Sequence, residues 1–207
     1  VPAGIVLSFA SACFFAEFVG FWLHILMHSN KIEFLSRNHM IHHLVLYAPN
    51  KPQRHAGPYL LSTYGRANVL GLGMEWLLPV GILLAVVLSF FRVMGITLVN
   101  QAVFTVAALA WGCLMFWYMH DAMHLKDFWM ETSRFWRHWF MEARRRHDIH
   151  HMDLVDDGRM TRNFGICFFF FDRVFGTLAD EHRRFNPKGL NQAMKRYAYI
   201  FSTPSSG

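Results

Sequence analysis

Residues 93–119 read VMGITLVNQAVFTVAALAWGCLMFWYM, 27 positions without one Asp, Glu, Lys or Arg. A stretch of about 20 mainly apolar residues is long enough to cross the hydrocarbon core of a bilayer as a helix. Immediately beyond it stands His120-Asp121-Ala122-Met123-His124, a pair of histidines one helical turn apart. The same succession occurs at the start of the chain. Residues 1–30 carry a single charge, Glu17, and end on His24-Ile25-Leu26-Met27-His28. Trp76 to Phe91 supplies 16 more uncharged positions.

These three stretches predict spans over about 5–27, 69–91 and 94–118. The reading is an all-α integral membrane protein with a cytosolic helical cap, forming one domain over 1–207. Composition agrees. Of 207 residues, 16% are charged and 54% hydrophobic, whereas a soluble domain carries nearer ~25% charge. A large buried core helix is the competing reading for one such stretch, and three in so short a chain argue against it. The N-terminal stretch lacks the basic start and small-x-small site of a signal peptide. The chain begins at Val1 rather than Met, which leaves room for an earlier segment. Pro79 is a candidate kink in the second span. Cys13, Cys113 and Cys167 form no CxxC pair and read as inert thiols.

Positive charge sets the orientation. Lys31, Arg37, Lys51, Arg54 and Arg66 lie between spans one and two, Arg92 lies in the short turn before span three, and fourteen Lys/Arg follow it. The 31–66 loop and the C-terminal region are therefore expected on the cytoplasmic side, in a bacterial inner membrane or the endoplasmic reticulum. Phe128 to Arg146 is aromatic and basic and reads as a helix at headgroup level, with a helix packed on the cytosolic domain as the alternative. Ile166–Phe171 is apolar but too short to span. It is expected to dip into the bilayer or line a lipid-facing pocket. The net charge of +6 and Arg144-Arg145-Arg146 suit anionic headgroups or an acidic redox partner, and no nucleic-acid partner is expected.

Ten of the 13 histidines fall in four clusters: His24/His28, His39/His42/His43, His120/His124 and His147/His150/His151. Spacings of three and four place side chains on one helix face. Neutral imidazole is a good ligand for iron, zinc and other first-row metals. One ion takes at most about six ligands, so ten inward histidines fit two ions. Ten such rings without metal would leave many buried nitrogens unpaired. A lone histidine has no such meaning, and His55, His138 and His182 receive no ligand role. HExxH is absent, which disfavours a zinc peptidase. Glu17, two turns above His24, is a candidate to bond a ligand histidine, gate water or touch a polar substrate group. Asp121 and Asp148, each next to a box histidine, are candidates to orient ligands. Asp153, Asp156 and Asp157 are weaker ones.

The boxes HILMH, HMIHH, HDAMH and HDIHH, followed by Asn163-Phe164-Gly165 and Phe171-Asp172-Arg173-Val174-Phe175-Gly176-Thr177, resemble the membrane fatty acid hydroxylase/sterol desaturase superfamily over residues 17–177. Phe171 departs from that pattern, which commonly has Trp there, and Asn163 lies further beyond the last box than usual. The resemblance implies a non-haem di-iron oxygenase acting on lipids, with zinc able to replace iron in purified protein. By box order it implies one iron on His24, His39, His42, His124 and His147, and the other on His28, His43, His120, His150 and His151. It implies O2 as co-substrate and insertion of oxygen into an unactivated C–H of an acyl chain, sterol-like ring or carotenoid end group. A lipid desaturase or oxidative demethylase is the alternative on the same site. The sequence holds no flavin, nicotinamide or iron–sulfur motif, so electrons are expected from a separate donor such as a cytochrome b5-like protein or a ferredoxin. Arg134, Arg137 and Arg144–Arg146 offer a basic face for it. A metal transporter would place its ligands at mid-membrane, and a b-type cytochrome would not need adjacent histidine pairs.

Overall fold

The computed structural model describes residues 2–60, 68–69 and 72–202. Arg66 and the Ser-Ser-Gly end lie outside the described residues. Among the described residues three helices are long and apolar enough to cross a membrane, and they make this an integral membrane protein. The first, α1 (Pro2–Met27), contains the predicted span. After Ser29 to Ile32 comes α2 (Glu33–Ile41), extended by a π-helical turn over His42–Leu46. Among the described residues the strands amount to one two-residue antiparallel pairing, Asn68 with Gly73 and Val69 with Leu72.

The second span, α3, covers Met74–Val93, five residues later at its start than expected. Val69 is taken up by the pairing, and the extended Gly73 opens the helix. The helix runs unbroken across Pro79, whose missing N–H leaves only the carbonyl of Glu75 without its helical partner. The third crossing is α4 (Leu98–Gly112), a π-helical turn Cys113–Met119 and α5 (His120–Met123) in direct succession. It starts at residue 98 rather than 94. Gly95 takes a φ of 71° in the turn, and Thr97 caps the helix by accepting from the Asn100 N–H. Both signals favour a turn over helix at 94–97.

Within the spans, Ala12, Leu84, Phe104, Ala107 and Ala108 form the buried contact of the three helices. Most other apolar side chains of α3 point outward, Ile82, Val86 and Phe90 among them, as a lipid-facing helix requires. A second core joins the end of this third crossing to α6 (Arg137–Met152) through Met119, Met123, Phe140 and Ala143. Two short helices follow, α7 (Phe170–Val174) and α8 (Pro187–Arg196). A third core packs Met40 and Leu44 against Leu154, Met160, Ala193 and Tyr197.

The single headgroup-level helix expected over 128–146 is not formed. Residues 129–131 make one 3-10 turn, and α6 begins only at Arg137. Phe135 and Trp136 are exposed, but the far half of α6 is buried, because that half carries the fourth histidine cluster. Ile166, Cys167 and Phe169 pack into the second core. Phe168, Phe170 and Phe171 line a cavity against Phe14 and Glu17 of α1, in keeping with the pocket-lining expectation for 166–171.

Candidate metal centre

The four histidine clusters converge. Among the described residues, two groups bring ligand-capable atoms within 4.8 Å of one another: His24, His28, His39, His43 and His150, and His42, His124, His147 and His151. The rings of His43 and His151, one from each group, lie 4.0 Å apart between centroids, so the groups adjoin. His120 stands beside the second group without joining its tight set. Its ring centroid is 4.8 Å from that of His42 and 5.0 Å from that of His147.

The grouping differs from the division implied by box order. Three of the four pairs spaced four apart stay together, His24 with His28, His39 with His43 and His147 with His151, while His120 stands outside the set that holds His124. Residues one apart separate, His42 from His43 and His150 from His151. Helical geometry accounts for both. An i, i+4 pair points one way along a face, whereas neighbours point about 100° apart. Each His-His dipeptide thus straddles two adjacent centres. The first of these dipeptides lies in the π-helical turn His42–Leu46, an irregularity common at functional sites.

The ring nitrogens are arranged for cations. His124 Nδ1 donates to the Gln53 carbonyl (3.0 Å), His150 Nδ1 to that of Arg162 (2.7 Å), His151 Nδ1 to that of Tyr47 (3.2 Å) and His24 Nδ1 to that of Phe164 (2.5 Å). A neutral ring with its proton on Nδ1 has a bare lone pair on Nε2. Those Nε2 atoms face other Nε2 atoms: His124 and His147 at 3.0 Å, His151 and His147 at 3.1 Å, His42 and His151 at 3.2 Å, His28 and His150 at 3.1 Å. One proton on His147 satisfies only one of its two neighbours. His24 Nε2, His28 Nδ1, His147 Nδ1 and both nitrogens of His43 are buried without a hydrogen-bond partner. Orphaned buried nitrogens are costly, and metal binding among them would remove the cost. Burial holds His28, His39, His42, His43, His124, His147 and His151 well below the usual imidazole pKa, and that of His150 at about 4. Neutral imidazole is the form that binds metal.

The candidate orienting acids divide. Asp121 Oδ1 lies 3.3 Å from His120 Nδ1 and touches a box histidine. Asp148 instead pairs with Arg54 and ties α6 to the loop that carries Gln53. Glu17 accepts from the Trp111 indole N–H at 2.8 Å, joining α1 to α4 rather than reaching a histidine. Asp153 is buried against Arg183 and Thr161, Asp156 pairs with Lys188, and Asp157 pairs with Arg159. Tyr59 was missed by sequence reasoning. Its hydroxyl lies 3.0 Å from His42 Nδ1, and no spacing rule links a loop tyrosine to a helix 17 positions away. His55 packs its ring on Tyr47, while His138 and His182 are exposed. None of these three joins a group.

The basic face is smaller than its sequence. Arg144 is buried on Glu131, and Arg145 and Arg146 pair with Glu142 and Asp180. Arg134 and Arg137 are exposed.

No curated protein and no solved structure matches this chain. A family model described as fatty acid hydroxylase matches residues 9–177, a range that holds all four clusters and the Asn163 and Asp172 segments. This chain belongs to the fatty acid hydroxylase family.

Proposed function

We propose that this chain hydroxylates an unactivated C–H of an apolar lipid at a pair of iron ions, with O2 and two electrons from a separate donor. The observation that carries the reading is the pair of adjoining all-histidine groups at one end of three membrane-crossing helices. Two Fe(II) ions held by nitrogen donors supply, when bound, the O2 reduction that such a C–H demands. His24, His28, His39, His43 and His150 would hold one ion. His42, His124, His147 and His151 would hold the other, with His120 beside them.

The chain's own residues do the rest. Backbone carbonyls of Gln53, Tyr47, Phe164 and Arg162 fix four rings in one tautomer, which pre-sets ligand direction. A 90 Å³ apolar cavity between the spans is lined by Phe15, Val19, Leu23, Trp76, Val80 and Phe116 among others. This cavity offers an apolar bed for a hydrocarbon between α1 and the other spans. Ligands gathered at one end of the helices fit a catalytic pocket better than a transport path. The clusters face the cytoplasm in this reading, as the Lys/Arg bias requires.

Anaerobic reconstitution with Fe(II), metal counting and product mass test the proposal. About two irons per chain and an O2-dependent +16 product from added acyl, sterol-like or carotenoid lipids are expected. A −2 product would make the enzyme a desaturase, and no oxidation by the two-iron protein supplied with electrons would overturn the reading. A cytochrome b5-like protein or ferredoxin is the expected donor, with Arg134 and Arg137 as the available part of the basic face. Reversing both charges should raise the donor's apparent KM several-fold and leave lipid KM unchanged.

A further inference from the structure

The loop after α6 touches the first histidine group with its backbone. The Arg162 carbonyl accepts from His150 Nδ1 and the Phe164 carbonyl from His24 Nδ1. The Phe164 ring stands edge-on to His24, His28 and His150, with centroids 5.7, 5.5 and 5.4 Å away. Three of that group's five members therefore rest on one short loop, and the second group makes no such contact with it.

Asp172 holds this loop. Its side chain is fully buried. Oδ1 accepts from the Phe164 N–H and the Thr177 hydroxyl, each at 2.7 Å, and Oδ2 accepts from the Gly165 N–H at 2.7 Å. In a trans peptide the C=O and N–H point opposite ways. The Gly165 N–H is drawn to Asp172, so the carbonyl of the same peptide, that of Phe164, is turned away from Asp172 and toward His24. Gly165 leaves no slack, because a Cβ there would lie 2.5 Å from the Phe168 carbonyl oxygen and 2.8 Å from Asp172 Oδ2. Asn163, at a φ of 55°, fixes the other side. Its amide donates to the Arg146 and Ala179 carbonyls and accepts from the Ala179 N–H.

We propose that Asp172 is a positioning residue for one of the two histidine groups only. It acts through the Gly165–Phe164 peptide to keep the proton of His24 on Nδ1 and the lone pair of Nε2, an otherwise unpartnered buried atom, aimed at the first centre. The inference rests on the metal-centre reading and assigns the Asp-to-Thr segment 172–177 a role in it.

Co(II) titration of the metal-free, full-length protein in detergent tests this, read by bound metal per chain and by ligand-field absorption. Wild type should take up two ions. Asp172→Asn presents an NH2 group where an acceptor is needed, and should keep one ion at wild-type affinity while the other weakens about 10–100-fold. Its absorption bands should change for that ion alone. Thr177→Val removes one donor to Asp172 and leaves the backbone donors, so it should weaken the same ion several-fold. It carries the test if Asp172→Asn fails to fold. Two ions bound by both variants with wild-type affinity and spectrum would overturn the proposal. So would equal weakening of both ions, the mark of a merely structural residue. Wild-type protein that takes up no Co(II) would instead overturn the metal-centre reading itself, whatever residue stands at 172.

Discussion

His43 is fully buried, and neither of its ring nitrogens meets a hydrogen-bond partner. A buried amide or hydroxyl left unpaired costs roughly 1–3 kcal/mol, and His43 carries two such atoms. Its ring neighbours include His28, His39, His42, His150 and His151, so a cation shared among these rings would satisfy it. His43→Ala is expected to lose one metal per chain and at least about 100-fold in lipid oxidation. Metal analysis beside activity checks this, and His138→Ala, at an exposed position, should change neither. Arg144 makes the opposite point about legibility. Three consecutive arginines read as one solvated basic patch, yet Arg144 is 2% exposed. Its guanidinium pairs with Glu131 at 2.8 Å, donates to the Ala122 and Leu125 carbonyls, and lies 4.5 Å from the Phe140 ring centroid. Helical rotation turns one arginine of the three inward, and charge runs carry no signal of which. Arg144→Met should destabilise by ~2 kcal/mol, less than the 3–5 typical of breaking a fully buried pair because Glu131 is partly solvated. Thermal unfolding in detergent measures it.

At the scale of elements, span existence was legible from uncharged length alone, while span ends were set by turn chemistry at Gly73, Gly95 and Thr97. The convergence of the histidines was legible as spacing. Their division between groups was only partly legible: i, i+4 against i, i+1 sorts most of them, but His120 parts from His124, and the i, i+3 pairs His39/His42 and His147/His150 separate. The two π-helical turns, at His42–Leu46 and Cys113–Met119, had no such signal, since an α pattern and a π pattern differ by one inserted position. The second of these turns rests on the crossing of α1 and α4. A Cβ on Gly20 would lie 1.9 Å from Phe116 Cζ, and Phe116 belongs to that turn and packs on Trp76 at 5.6 Å. Gly81 on α3 has open space around its Cβ direction. The two glycines therefore give opposite predictions. Gly20→Ala should lower stability by about 1–3 kcal/mol through overpacking and reduce activity by displacing the segment that leads to His120. Gly81→Ala should leave activity unchanged and stabilise by up to about 1 kcal/mol from helix propensity.

For the whole molecule, the histidine groups are where the membrane helices and the cap meet. His24 comes from α1, His39 from α2, His42 and His43 from the π-helical turn that follows, His124 from just after α5, and His147, His150 and His151 from α6. Apolar contacts bind the spans to one another through Ala12, Leu84 and Phe104. Another core binds α2 to α8 through Met40 and Ala193. Where these regions meet stand the imidazoles, alongside the core that joins Met119 and Met123 to Phe140 of α6, the small cluster of Phe21, Phe164 and Phe171, Asn38 donating to Glu75 at 2.9 Å and Tyr197 donating to the His28 carbonyl at 2.6 Å. A metal bound only by the folded state stabilises it by mass action, and here the stabilisation acts across that junction. Chelation should therefore lower the unfolding temperature and do so unevenly. Amide exchange should quicken first in α2, in the turn His42–Leu46 and in the second half of α6. The helix cores around Leu84 and Phe104 should keep their protection, because no histidine lies among them. Re-addition of Fe(II) or Zn(II) should restore both the temperature and the protection. Uniform acceleration along the chain would mean that the metals stabilise the fold without joining its two parts, and unchanged exchange would mean that the cap is held by its apolar cores alone.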